Sequence, residues 1–330
     1  MRIMLVIGAF VLVLCGTATA QTAASPDKSS HKIQFVTVQP GVKLEVLDWG
    51  GSGTPLLFLA GLGDTAHAFD DLAPKFTDRH HVYAITRRGF GVSSAPPVTD
   101  ENYDADRLGD DVLAVIAALN LDRPVLAGHS LAGEELSSVG TRHPEKVAGL
   151  IYLDALFQYA FYNPAQPDLS MDTAEVRRDL DKMFEVQQSP AQWRELIARV
   201  EAALPNLQKS LRETADQLDG APEPATPSVN SPQDEVGNRI FTNTRRYGAS
   251  NVPLLAILAM PRRCQPNCDK PFMQRIMADD AARAAYLEKR DPAAKVVRLA
   301  GASHYVWRSN EGDVLREMNM FMDSLPSQNP

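Results

Sequence analysis

The stretch Val125-Leu126-Ala127-Gly128-His129-Ser130-Leu131-Ala132-Gly133 constrains the fold of this 330-residue chain more than any other. Residues 123–127 read as a short interior strand, and residues 131–143 have helix-forming composition until Pro144 stops them. A strand that passes into a helix through so few residues must turn sharply. Gly128, Ala132 and Gly133 leave room for a strained backbone and for close packing of the helix on a sheet. A serine at such a turn exposes its hydroxyl, which becomes a nucleophile only beside a base and oriented backbone donors. The Leu131 amide, at the helix start, is one such donor. Chance matches to G-x-S-x-[GA] are common, so the remaining chain has to supply the context.

That context is an alternation of strands and helices. Residues 32–38 and 42–48 read as a hairpin around Pro40-Gly41, followed by strands at 55–59, 81–85, 124–127, 147–153, 253–258 and 295–299. Most are separated by helical stretches, which predicts an α/β fold with a mostly parallel central sheet covered by helices on both faces. Between the strands at 147–153 and 253–258 no further strand is expected. Residues 172–186, 190–204 and 207–218 look helical, and the Pro-rich stretch 220–237 looks like a loop. The expected organisation is therefore a core of residues 21–156 and 250–330 interrupted by a helical cap insertion at 157–249. An insertion at the carboxyl ends of the strands would overhang the site.

Residues 1–20, MRIMLVIGAFVLVLCGTATA, combine Arg2, an apolar run over 3–14 and small residues Ala18 and Ala20 in A-x-A spacing. They read as a secretory signal cleaved near Ala20, so an exported, periplasmic or secreted protein is expected. The apolar run is too short to span a bilayer, no later segment reaches about 18 uninterrupted apolar residues, and stable membrane insertion is not expected. Leu14 before Cys15 disfavours lipid attachment. An oxidising compartment would then pair the two remaining cysteines, Cys264 and Cys268. Zinc is disfavoured there because no histidine is near in sequence, and neither a metal nor a cofactor is expected. The formal charge of −8, one unit more negative once Arg2 is removed, argues against nucleic acid and anionic membranes and for a small-molecule substrate.

Of the seven histidines, His304 alone follows a buried strand at a glycine loop and precedes a final helix. An imidazole there suits the role of base to Ser130. His129 neighbours the nucleophile, and His31, His67, His80, His81 and His143 sit at a terminus, a strand start or helix ends.

Four landmarks together resemble the α/β-hydrolase fold superfamily over residues 32–156 and 250–325. They are Leu57-Phe58-Leu59-Ala60-Gly61-Leu62-Gly63, Thr86-Arg87-Arg88-Gly89-Phe90-Gly91-Val92-Ser93, the Ser130 turn and Gly301-Ala302-Ser303-His304. The second departs from the usual D-x-R-G-x-G-x-S by having Thr86 for Asp, and the first has Ala60 where a histidine is often found. The resemblance implies a nucleophile elbow at Ser130 and an oxyanion hole from the backbone N–H groups of Leu62 and Leu131. Epoxide and haloalkane chemistry is disfavoured, because those relatives carry an aspartate where this chain has Ser130. The commonest pattern also places an Asp directly after the strand equivalent to 253–258. Here that turn reads Ala259-Met260-Pro261-Arg262-Arg263, and no carboxylate follows until Asp269. A second position known in the superfamily, at the end of the preceding strand, holds Asp154. A carboxylate closing a buried apolar strand is costly unless paired, and histidine is a suitable partner, so Asp154 is favoured with Asp269 as the alternative acid. Glu134 and Glu135 are expected to complement the helix dipole. Arg87 and Arg88 are expected to be structural, and Tyr152, Phe157, Tyr159, Phe161 and Tyr162 to be packing residues. The resulting expectation is a serine hydrolase of carboxylic esters, with amide, lactone or C–C bond hydrolysis, or a non-catalytic ligand-binding role, as alternatives.

Overall fold

A computed structural model of the protein describes residues 30–166, 168–185, 188–218, 231–266 and 268–326; the expected signal, residues 1–20, lies outside them. Eight strands form one sheet: β1 (Lys32–Gln39), β2 (Val42–Gly50), β3 (Leu56–Leu59), β4 (Val82–Ile85), β5 (Val125–His129), β6 (Gly149–Leu153), β7 (Leu254–Ala259) and β8 (Lys295–Leu299). Their order is β1-β2-β4-β3-β5-β6-β7-β8. The hairpin β1–β2 turns at Gly41, whose φ of +80° suits a glycine. From β4 to β8 all neighbours are parallel.

The helices are α1 (Asp100–Tyr103), α2 (Ala105–Ala118), α3 (Ala132–Arg142), α4 (Leu169–Met183), α5 (Pro190–Leu218), α6 (Pro232–Thr242), α7 (Pro271–Arg290), α8 (Val306–Ser309) and α9 (Glu311–Ser324). A parallel strand buried on both faces reads as a continuous apolar run, and its alternate residues enter opposite layers. Leu57, Leu126, Leu150 and Ala256 join one core with Val112, Val115, Leu136, Val139 and Leu287 of α2, α3 and α7. Phe58, Val125, Ile151 and Leu255 join the other with Phe69, Trp307, Val314 and Met318, from a short 3-10 turn, α8 and α9.

Among the described residues no strand lies between β6 and β7; that interval holds α4, α5 and α6. Two expectations change there. Residues 190–204 and 207–218 form the single helix α5, which runs through Pro205. Part of the expected loop at 220–237 is α6, opened by Ser231, whose hydroxyl and Asp234 form a reciprocal cap, with Pro232 in the first turn. Residues 219–230 lie outside the described residues. A third apolar cluster joins Val236 and Ile240 of α6 to Leu131, Phe90, Tyr103 and Leu108, with Leu62, Tyr159 and Phe241 packed against it. The insertion thus rests on both residues proposed as oxyanion donors.

Candidate active site

The register of the sheet gathers the candidate residues. His129 of β5 pairs with Leu153 of β6, Leu153 with Ile257 of β7, and Ala259 with Leu299 of β8. The carboxyl ends of four strands therefore stand side by side, and Ser130, Asp154, Arg262 and His304 all lie on the loops that leave them. This is the edge at which open parallel sheets bind ligands.

Ser130 has φ of +52° and Asp154 φ of +45°, two of the four non-glycine residues with positive φ among those described. Such conformations cost of order 1–3 kcal/mol and persist where surrounding contacts impose them. The contacts are visible: the Ser130 N–H donates to the Leu153 carbonyl at 3.3 Å, and the Asp154 N–H to Ile257 at 2.8 Å. The small residues have direct reasons. A Cβ on Gly128 would stand 3.0 Å from Leu136 Cδ1, and one on Gly133 would stand 2.2 Å from the Ala155 carbonyl oxygen. Gly133 leaves no room for a side chain between α3 and the loop after β6, and Gly128 lets α3 pack tightly on β5.

His304 Nδ1 lies 2.7 Å from Asp154 Oδ2, and the imidazole is 37% exposed while the carboxylate is 3% exposed. Asp154 Oδ1 accepts the Ala259 N–H at 3.0 Å, and Oδ2 also accepts Arg262 Nη1 at 2.9 Å. Burial alone would raise the Asp154 carboxyl, but the His304 hydrogen bond, the Arg262 charge and the Ala259 amide outweigh it and hold the group below its usual range. Asp154, rather than Asp269, is thus the acid joined to His304. Asp269 lies in a turn just past the Cys264–Cys268 disulfide.

Among the described residues, neither the Leu62 nor the Leu131 N–H is taken by a protein acceptor. The Leu62 loop is held from below. Arg87 donates to the carbonyls of Ala60 at 2.7 Å and Gly61 at 3.1 Å, and forms a two-point pair with Glu135 of α3 at 2.6 and 2.9 Å. Arg87 is therefore the structural link between the Leu62 loop and the helix behind the serine, and Glu135, in the first turn of α3 as expected, is also its partner. Arg88 pairs with Asp111 at 2.6 Å. Thr86 donates to Glu45 at 2.6 Å and accepts the Ala66 amide at 2.9 Å.

Three features were not foreseen. Glu134 is 1% exposed, and among the described residues the Arg245 backbone amide faces its carboxyl without closing a well-formed hydrogen bond to either oxygen. Burial first, then the charge of Glu135, raises its carboxyl well above the ordinary range. His129 is buried with its ring 4.5 Å from that of His304, and its Nε2 lies 3.2 Å from the His304 carbonyl, so this nitrogen carries the proton. Burial lowers its pKa, in keeping with a neutral ring. Arg262, in the turn where the superfamily usually has its acid, pairs with Asp154 instead. Phe157 packs edge-on to His304 at 6.3 Å and stacks on Tyr159 at 5.3 Å, so two members of the expected aromatic cluster border the site.

Residues 56–317 match the profile of the alpha/beta hydrolase family. The chain is 24% identical over 283 residues to 2-(acetamidomethylene)succinate hydrolase of Mesorhizobium japonicum, spanning 83% of this chain and 90% of that one. It is 24% identical over 234 residues to bifunctional epoxide hydrolase 2 of Sus scrofa, covering 70% of this chain and 40% of that one. Among solved structures, an N-acyl homoserine lactone degrading enzyme shares the fold with a TM-score of 0.54 at 20% identity, over 87% of this chain and all of the other. The sheet order and the length of the family match agree: the chain belongs to the alpha/beta hydrolase family and over most of its length is similar to hydrolases.

Proposed function

We propose that the protein hydrolyses a carboxylic ester through an acyl-enzyme on Ser130. The observation that carries this reading is the 2.7 Å hydrogen bond between His304 Nδ1 and Asp154, at strand ends adjacent to the left-handed turn at Ser130. With Nδ1 engaged, Nε2 is the nitrogen left to take the serine proton. Ser130 Oγ attacks the carbonyl carbon as that proton passes to Nε2. The oxyanion accepts hydrogen bonds from the Leu62 and Leu131 amides. The C–O bond then breaks, the imidazolium protonates the leaving alcohol, and water attacks the acyl-enzyme by the same steps in reverse order. Helices α4–α6 serve as a cap that shapes the acyl pocket, and the leader directs export.

Several relatives are named for epoxide or carbon–halogen hydrolysis. Attack of Ser130 on a saturated carbon would leave an ether, which water does not cleave under these conditions, so that chemistry does not suit this nucleophile. Amide hydrolysis by the same steps is the second reading, favoured by the relative named 2-(acetamidomethylene)succinate hydrolase, which matches most of both chains.

Nitrophenyl esters of increasing acyl length, with the matching nitroanilides, test both readings. Ser130→Ala and His304→Ala are expected to lower kcat/KM by at least about 10³-fold and Asp154→Asn by about 10²–10⁴-fold, while Asp269→Asn stays within about twofold. A fluorophosphonate should label Ser130. Full activity in Ser130→Ala would end the proposal, and a large loss in Asp269→Asn with none in Asp154→Asn would transfer the acid role.

A further inference from the structure

Arg262 shares an oxygen with the histidine. Its Nη1 lies 2.9 Å from Asp154 Oδ2, the same atom that receives His304 Nδ1 at 2.7 Å. The guanidinium is 13% exposed, and its other edge is bound to Asp280 through Nε and through Nη2 at 3.3 Å. Asp280 is held in turn by Arg283 of α7, whose Nε donates to the Leu156 carbonyl at 3.1 Å. Both guanidinium groups lie over the Phe157 ring, at 5.8 and 5.6 Å. The result is a chain, His304–Asp154–Arg262–Asp280–Arg283, that runs from the half-exposed imidazole into largely buried ion pairs. Buried ion pairs rarely add stability over well-packed apolar residues, so the arrangement calls for another reason.

We propose that Arg262 is a positioning residue of the reaction, which draws part of the Asp154 charge away from His304 and so extends hydrolysis to lower pH. This rests on the Ser130–His304–Asp154 reading. An imidazolium beside a carboxylate is stabilised by that charge; a permanent cation on the same oxygen opposes it. The groups facing the pair are few. From the end of β5 comes His129 and, behind it, from the loop after β3, Asp64, whose Oδ2 is 3.7 Å from His129 Nδ1. Tyr305 follows His304 and donates to Asp64 at 3.1 Å. Tyr159 comes from the loop after β6, Arg262 from the loop after β7, and Asp280 and Arg283 from α7. Of these, Arg262 alone hydrogen-bonds the Asp154 carboxylate besides His304. The turn that lost the usual acid thus carries its opposite charge, directed at the acid's replacement.

The test is kcat/KM between about pH 4 and 9 for the whole protein on a nitrophenyl ester, in Arg262→Met, Arg262→Lys, Asp280→Asn and the parent. Arg262→Met should move the acidic limb upward by about half to one pH unit, with less than about tenfold change on the alkaline plateau. Arg262→Lys, which keeps the charge, should leave the limb closer to the parent. Asp280→Asn should move it downward, because Arg262 then acts on Asp154 undivided. An unmoved limb in folded Arg262→Met, or an equal loss at every pH in both Arg262 variants, overturns the proposal. If Arg262→Met does not fold, a downward displacement in Asp280→Asn with Arg262→Lys near the parent supports it, and an unmoved or upward Asp280→Asn limb overturns it. Asp154→Asn separates the two layers: full activity there removes the triad reading itself, whereas a large loss with an unmoved Arg262 limb removes only the role of Arg262.

Discussion

Glu134 is the residue least suited to its surroundings by ordinary rules. It sits four positions after Ser130, fully enclosed, with Glu135 alongside and only the Arg245 backbone amide facing it, short of a well-formed hydrogen bond. A carboxyl whose folded pKa is raised binds its proton more tightly in the native state than in the unfolded one. Stability from this group is therefore complete below the unfolded value near ~4.3 and is lost as pH rises toward the folded value. Glu134→Gln keeps the shape and removes the titration. The variant should be more stable than the parent at pH 7 by about 1 kcal/mol or more, and the gap should close as pH falls toward ~4. Thermal melts at several pH values measure this; a gap independent of pH would show that the carboxyl does not titrate as described.

At the scale of elements, most of what positions the site could be read from residue types. Strands buried on both faces are continuous apolar runs such as Leu254–Ala259, and the turn at Ser130 is framed by glycines whose missing Cβ atoms the packing requires. What could not be read were contacts between residues far apart in sequence. Glu135 reads as a dipole partner alone, and its second role shows only when Arg87, 48 residues earlier, is found against it. Arg262 looks like a loop residue until the sheet sets it beside Asp154, 108 residues away. Pro205 looks like a helix end, because proline removes an interior donor. Yet it lies on the exposed side of α5 while Leu196, Ala203 and Ser210 are buried in line across it, and tertiary packing overrides the local preference. The Ser231 cap and Pro232 were legible start signals for α6, obscured by the Pro-rich stretch before them. That helix gives the next prediction. A Cβ on Gly237 would lie 3.3 Å from Leu62 Cδ1, so a larger side chain presses on the Leu62 side chain and through it on the loop proposed to hold the oxyanion. Gly237→Leu should therefore lower kcat on nitrophenyl esters about tenfold or more and cost about 1–3 kcal/mol of stability through overpacking, whereas unchanged kcat in the folded variant would mean that α6 does not constrain Leu62.

For the whole molecule the question is where such a chain works. The proposed export rests on the expected leader and on the two cysteines of the remaining chain, which an oxidising compartment would pair. No helix among the described residues is long and apolar enough to cross a membrane. Cys264 and Cys268 are joined by a disulfide, with Cα atoms 4.8 Å apart. Closing so short a loop restricts the unfolded chain by only about 2 kcal/mol in the chain-entropy picture, too little to hold a domain of this size together. Its location gives it a local task instead, since Arg262 lies two residues before Cys264 and α7, with Asp280, begins just after the bridge. The bridge ties the segment that presents Arg262 to the helix that anchors it. Export then has a double signature: the secreted or periplasmic protein should begin near Gln21, and neither cysteine should react with an alkylating reagent before reduction. Intact-mass analysis of the protein recovered from the producing cells reads both at once. A chain that retains residues 1–20 with two free thiols would place the enzyme in the cytoplasm, whereas cleavage with free thiols would uphold export and remove the bridge from the account of Arg262.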